Sequence, residues 1–314
     1  MTDSRRPRLG LSMPTWPLRG GAYATWPEMR QLARNVEALG VDTLWVSDHL
    51  LRSVPGRPAY GFHECWTILA ATAEATSRIE LGPFVACTAF RNPGLLAKMA
   101  VTLDEVSGGR VVLALGSGDP RSDDSWSAFG FETDRSVSRH EEVVELVARL
   151  FRDPPVTFDG AFHHFAAAQL LPRGPRAAGP PVWVAAKGDR SLGIAARWGD
   201  AVNVNVPLVS VDDVRAIAAR VAVACDAVGR NPSTLGLTGW ARLALREDGS
   251  ADPRPGRLAG SRDEVVATIR SFADAGLSHL TLYAGDADDP SPLPALTTRT
   301  LSRLAPYLEA LQAG

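Results

Sequence analysis

A chain of 314 residues, 45% hydrophobic and 22% charged, has the length of one large α/β barrel or two ordinary domains, and the composition of a globular protein with a substantial core. Its formal net charge of −2, from 33 basic and 35 acidic side chains, gives no footprint for nucleic acid or an acidic membrane surface. No apolar stretch approaches a membrane span, Met1 to Pro7 lacks a signal-peptide core, and the three cysteines Cys65, Cys87 and Cys225 lack metal-ligand spacing, so a cytoplasmic protein with buried thiols and no metal is expected.

The first apolar segment, Arg8 to Met13, reads as a strand. A module then recurs: the end of a helix, a glycine or polar turn, and an apolar strand. It runs as Leu32 to Leu39, Gly40, then Thr43 to Val46; as Ala70 to Thr76, then Ile79 to Val85; and as Leu95 to Val106, Gly108-Gly109, then Arg110 to Leu115. Val143, Val144, Leu146, Val147 and Leu150 lie at helical spacing and predict a helix over Ser136 to Phe151. The tract Asp153 to Gly179 that follows is rich in Pro and Gly and reads as an irregular insertion beside a functional mouth, since long loops in compact folds usually serve function. Val182 to Ala186 is the fifth strand, and the module returns as Leu192 to Trp198, Gly199, then Ala201 to Val206. Gly236 to Leu243 is the seventh strand; Val265 to Ala275, Gly276, then His279 to Tyr283 complete the set. Eight strands alternating with helices predict a (β/α)8 TIM barrel, one domain over residues 1–314 with the insertion at about 153–179 between strands four and five. A doubly wound open sheet is the alternative architecture.

Such a barrel carries its active site at the C-terminal ends of its strands. The fourth strand, Val111 to Leu115, is an unbroken apolar run, the pattern of a strand buried on both faces. It ends in Gly116-Ser117-Gly118-Asp119, where two glycines turn the chain sharply and Asp119 lands at the mouth. The other strands deliver Met13-Pro14 and Trp16, Ser47-Asp48-His49, Val85-Ala86-Cys87-Thr88, Lys187-Gly188-Asp189-Arg190-Ser191, Asn203 and Asn205, and Tyr283. Asp48-His49 is the acid–base candidate, because histidine titrates near neutrality and an adjacent aspartate can orient it; a histidine satisfied by packing is the plainer alternative. The Lys187 to Ser191 turn, at a helix start with two cations, suits a phosphate, or is an ordinary turn capped by Ser191 or Asp189. No P-loop occurs, and Gly116 and Gly118 lack the third glycine of a dinucleotide fingerprint. Trp16, Trp66 and Trp126 line the substrate side or serve as packing.

The runs Leu44-Trp45-Val46-Ser47-Asp48-His49, Arg91-Asn92-Pro93-Gly94-Leu95-Leu96-Ala97-Lys98, Leu103-Asp104-Glu105-Val106-Ser107-Gly108-Gly109-Arg110 and Ala195-Ala196-Arg197-Trp198-Gly199-Asp200 resemble the bacterial luciferase-like oxidoreductases. The resemblance runs in order from Leu9 to about Val206, with a weaker echo from Ser261 to Tyr283. It implies a (β/α)8 barrel that binds FMN or the deazaflavin coenzyme F420. The Gly116 to Asp119 turn is similar to the Gly-x-Gly-acid turn of the deazaflavin branch, which includes the glucose-6-phosphate dehydrogenases and methylene-tetrahydromethanopterin reductases. In that branch the acid is a proton donor, a role the resemblance transfers to Asp119, with His49 near the deazaflavin or the substrate and Asp48 beside it. The resemblance further implies a non-proline cis peptide at Phe84-Val85 or Val85-Ala86 behind the central cofactor ring, with Cys87 and Thr88 against it. Gly118, Ser122, Ala186, Lys187, Gly188, Asp189 and Arg190 complete the expected cofactor contacts; the lysine departs from the family's Gly-Gly turn at the cofactor phosphate. The cations that hold glucose 6-phosphate in the dehydrogenases have no match here, so that substrate is not expected.

These readings converge on an oxidoreductase transferring hydride between F420 and a small organic substrate, with reduction of an activated C=C or C=N bond as the expected direction. A reduced-FMN monooxygenase using O2 is the enzymatic alternative, and an inactive flavin-binding barrel the non-enzymatic one. A homodimer is expected because homodimers are common in the family.

Overall fold

The strands form a parallel sheet whose two ends belong to the same barrel strand. In the computed structural model, which describes residues 6–53, 58–288 and 295–313, the first strand Arg8–Ser12 lies between the second, Thr43–Val46, and the eighth, Leu277–Asp286. From the eighth the sheet continues through the seventh, Gly236–Leu245, the sixth, Ala201–Pro207, and the fifth, Val182–Ala186, to the fourth, Leu113–Gly116. The third strand comes in two pieces. Glu80–Pro83 pairs with the second strand, Ala86–Cys87 pairs with the fourth, and a bridge from Leu81 to Val111 joins the same edges lower down. A cis peptide bond joins Phe84 and Val85 between the pieces, at one of the two positions the resemblance implied. The sheet therefore curls into a barrel, and the open doubly wound alternative falls.

Both faces of the strands are dry, which is why their sequences read as continuous apolar runs. Inward residues such as Trp45, Val112, Ala114, Trp183 and Ala201 fill the barrel, while Leu9, Leu44, Leu113, Val184 and Val202 pack outward under the helices. Gly10 leaves the room that Trp45 occupies: a Cβ there would sit 2.2 Å from the indole nitrogen. Helix starts carry their own caps. Glu64 accepts from the N–H groups of Trp66 and Thr67, and Asn92, ahead of Pro93, accepts from those of Gly94 and Leu95. The helix after the fourth strand runs Ser136–Arg152, as its apolar spacing predicts. Helices Val211–Asp226 and Thr298–Gln312 join those the repeated module marked. Among the described residues no helix is long and apolar enough to cross a membrane.

The tract read as irregular contains an antiparallel hairpin, Val156–Asp159 with His164–Ala168. It lies along the outer flank of helix Ser136–Arg152: Phe158 under Arg149, Glu142 accepting from the N–H groups of Ala161 to His163, and Phe162 beneath Arg135 and Arg139. The insertion thus buttresses a helix, and none of its residues lines the cavity at the mouth. Its Pro and Gly content concealed the short run Val156-Thr157-Phe158 that pairs.

Candidate active site

A cavity of about 640 Å³ opens at the C-terminal ends of the strands. The third strand gives it Phe84, Val85 and Cys87, the fourth Gly116 to Asp119, and the fifth Ala185 to Gly188. The sixth gives Asn203 and Asn205, the seventh Trp240 and the eighth Tyr283; Asp48 and His49 follow the second. Ser122 and Arg190 also reach it.

His49 finds its carboxylate elsewhere than expected. Its Nδ1 lies 2.5 Å from Oδ2 of Asp123, which is 7% exposed and also accepts the Ser125 N–H. Burial works against the Asp123 charge, but the bonds from His49 and Ser125 outweigh it and hold the carboxyl below its usual range. Asp48 does not orient His49. It is 2% exposed and takes a bidentate pair from Arg91 at 2.7 and 3.0 Å, plus the Cys87 N–H at 2.9 Å. Burial pushes the Asp48 carboxyl up against these partners, while burial of Arg91 is overcome by Asp48 and Glu64, which keep its guanidinium charged. Asp48 thereby ties the end of the second strand to the backbone at Cys87.

The glycine turn is shaped by what touches it. A Cβ on Gly116 would meet Val85 Cγ2 at 2.4 Å; Gly118, at φ +66°, has Trp126 and Cys87 at 2.6 and 2.8 Å from the same virtual atom. Val85 can therefore lie against bare backbone at the cavity floor. Asp119 is exposed at the rim, accepting from Ser122 Oγ at 2.9 Å and the Arg121 N–H at 3.1 Å. At the start of helix Asp189–Trp198, Ser191 Oγ accepts from the N–H groups of Lys187 and Gly188. Arg190 is held by Glu141 and Ser138.

Several expected contacts point elsewhere. Ala86 faces the layer between barrel and helices, and Asp189 turns outward to Arg220 at 2.8 Å. Thr88 stands behind the wall, bonded to the Gly116 carbonyl and to His140 Nδ1 at 3.1 Å. None of the three tryptophans named for the substrate lines the cavity. Trp16 packs on Phe62 and Tyr283, Trp66 lies under Arg91, and Trp126 sits beneath Gly118. Large indoles buried among neighbours are core, and the mouth uses Trp240 instead.

His140, like Asp123, Arg52 and Trp240, lines the cavity without having been marked from the sequence. It is 1% exposed yet borders the cavity, its Nε2 has no hydrogen-bond partner, and burial lowers it to about 4, so it is neutral. The signal was there: a histidine on the apolar face of helix Ser136–Arg152, one turn before Val143 and Val144. Cys87 is inert, since burial pushes its thiol to about 12.

A parallel barrel with its ionisable side chains ringed at one mouth defines a (β/α)8-barrel enzyme. Residues 9–252 match the family described as luciferase-like monooxygenase, and the chain belongs to this family of oxidoreductases. It is 30% identical over 178 residues to a 5,10-methylenetetrahydromethanopterin reductase of Archaeoglobus fulgidus, a match covering 57% of this chain and about half, 49%, of that relative. It is 27% identical over 322 residues to an F420-dependent glucose-6-phosphate dehydrogenase of Amycolatopsis mediterranei, covering 88% of this chain and 94% of that one. A solved F420-dependent secondary alcohol dehydrogenase in complex with an F420-acetone adduct shares the fold, with a TM-score of 0.78 at 17% identity over 98% of this chain and 99% of that one.

Proposed function

We propose that the protein is an F420-dependent oxidoreductase reducing an activated C=C or C=N bond of a small organic molecule. The observation that carries this reading is Asp119 on the cavity rim, at the end of a glycine turn packed against Val85. The residues present fit a deazaflavin. Val85 and Gly116 offer a flat floor, His140 Nε2 is a buried polar atom with no partner, and Lys187 Nζ has no acidic partner among the described residues at a helix start suited to phosphate. Lys187, Gly188 and the N–H groups that open helix Asp189–Trp198 would hold the phosphate end, and His140 would donate to or accept from a hydroxyl.

Bound in its two-electron-reduced form, the deazaflavin would supply the hydride and be left oxidised, and it would disfavour oxygen activation. The chain's own part is to hold the substrate, exclude water and move one proton. His49, with Nδ1 fixed by Asp123, leaves Nε2 as the nitrogen that takes or gives that proton. Asp119 is the second candidate, free to exchange with solvent at the rim.

Fluorescence titration of the protein with F420 and with FMN, each oxidised and reduced, tests the reading. F420 is expected to bind and FMN to bind far more weakly. Tight FMN binding with none of F420 overturns it in favour of a monooxygenase. His49→Ala and Asp119→Asn are each expected to cut turnover by roughly 10²-fold or more; if neither does, the roles assigned here are wrong.

A further inference from the structure

Several charges at the cavity are paired: Asp48 with Arg91, His49 with Asp123, Arg190 with Glu141. Arg52 and Arg242 differ. Arg52, on the short strand Leu51–Arg52 beyond the second barrel strand, lines the cavity, and its Nε is buried with no hydrogen-bond partner. Arg242, on the seventh strand, stacks over the Trp240 ring at 5.2 Å, and its Nε is buried and unpartnered as well. Among the described residues neither has an acidic partner.

Arg52 lines the cavity directly, and Arg242 adjoins it through the Trp240 and Tyr283 side chains that line it. Arg242 is the register partner of Tyr283 on the eighth strand. The rings of Trp240 and Tyr283 meet edge to face at 5.6 Å, and both line the cavity. Burial pushes the Tyr283 phenol to about 12, and Arg242 and Arg52 both oppose that rise, so both positive charges lie within electrostatic reach of its hydroxyl. Lys187, just past the end of the fifth strand, is separated from them by the sixth strand on one side and by the third and fourth on the other. A half-buried guanidinium donor left unmade calls for an explanation, and here one lines the cavity and another stacks on its aromatic wall. Their forked donors match the oxygens of a carboxylate or phosphate, and the aromatic wall beside them suits the apolar body attached to such a group.

We propose that the substrate carries an anionic head group, a carboxylate or phosphate, which Arg52 and Arg242 bind against the wall formed by Trp240 and Tyr283. This assignment rests on the cavity being the reaction site described above. A neutral substrate would strip water from both guanidiniums and return nothing to them.

Binding to the full chain can be read from tryptophan fluorescence, since Trp240 stands at the subsite. Benzoate and phenyl phosphate are the probes; benzamide and benzyl alcohol are the neutral controls. At least one anion is expected to bind saturably and more tightly than either control. Its Kd should rise roughly tenfold or more in Arg52→Gln and in Arg242→Gln, with partial recovery in Arg52→Lys. A preference for benzoate identifies a carboxylate subsite, and one for phenyl phosphate a phosphate subsite. F420 titrated into the same variants by its own fluorescence should keep its wild-type Kd. Failure of both anions to bind, equal binding of anions and controls, or an anion Kd unchanged in both Gln variants overturns the proposal. If F420 fails to bind the wild type while arginine-dependent anion binding persists, the cofactor reading falls and the anion subsite stands.

Discussion

His49 Nδ1 and Asp123 Oδ2 stand 2.5 Å apart across a sequence separation of 74 residues, joining the exit of the second barrel strand to the turn after the fourth. The bond fixes which imidazole nitrogen remains for chemistry, so Asp123 acts through His49 as a positioning residue. Asp123→Asn is expected to lower turnover roughly 10-fold or more, up to about 10⁴-fold, the loss seen when the carboxylate orienting an acid–base histidine is replaced by an amide. A loss confined to kcat, with substrate KM and F420 affinity kept, distinguishes this from general damage to the mouth. The carboxyl also ties acid stability to this pair. Its folded pKa lies below the ordinary 3.8, so its contribution is present above that value and is lost as pH falls through the depressed one. The Asn variant should lack this part of the acid transition in a melting series.

Gly116→Ala tests the floor of the cavity. The new methyl would meet Val85 Cγ2 at 2.4 Å, and the side that can yield is Val85, toward the cavity. F420 affinity should fall more than melting temperature does. Val85→Ala in the same chain should restore much of the affinity, the coupling expected of two residues in contact. If Gly116→Ala binds F420 as the wild type does, the floor is not where the cofactor lies.

Arg91 is expected to matter through Asp48. Arg91→Leu strands a carboxylate that is 2% exposed and should cost about 3–5 kcal/mol in urea denaturation. Arg91→Lys keeps the charge but cannot span both oxygens, so an intermediate loss is expected. Asp48→Asn should be milder than Arg91→Leu, because an amide can still accept the Cys87 N–H. Reversal of that order would mean the pair is not what holds the strand end.

The barrel was legible because strands buried on both faces leave unbroken apolar runs, and because Gly116 and Gly118 stand where Val85, Trp126 and Cys87 leave no room for a side chain. The pairings at the mouth were not. Neighbours in an extended segment send their side chains in opposite directions, so Asp48 beside His49 in sequence goes to Arg91 rather than to His49. The true partner, Asp123, comes from a turn two strands away, and nothing local distinguishes it from Asp119 or Asp124. Tryptophan likewise carries no local mark that separates Trp126, packed under a turn, from Trp240 on the cavity wall.

Two buried histidines set the response of stability to mild acid. His279 fills the barrel between Trp45 and Trp183, ring centroids 5.7 and 5.0 Å away, with Nε2 3.0 Å from Thr43 Oγ1. Burial, reinforced by Arg8, lowers it to about 3; burial alone lowers His140 to about 4. Both start from 6.5 in the unfolded chain, so below that value the unfolded state takes up protons that the folded state refuses. Stability must then fall as pH drops from 6.5 toward 4, continuing toward 3 for His279. Each histidine should remove about 2 kcal/mol between a pH of about 7 and about 5. His279→Phe keeps an aromatic ring between the two tryptophans but has nothing to protonate; it loses the Thr43 bond, at about 1 kcal/mol, yet should flatten the pH slope. His140→Gln should flatten it similarly without touching the barrel interior. Urea denaturation of the protein without cofactor at the two pH values reads both effects, and a slope unchanged in both variants would show that the buried imidazoles are already accessible to protons in the folded state.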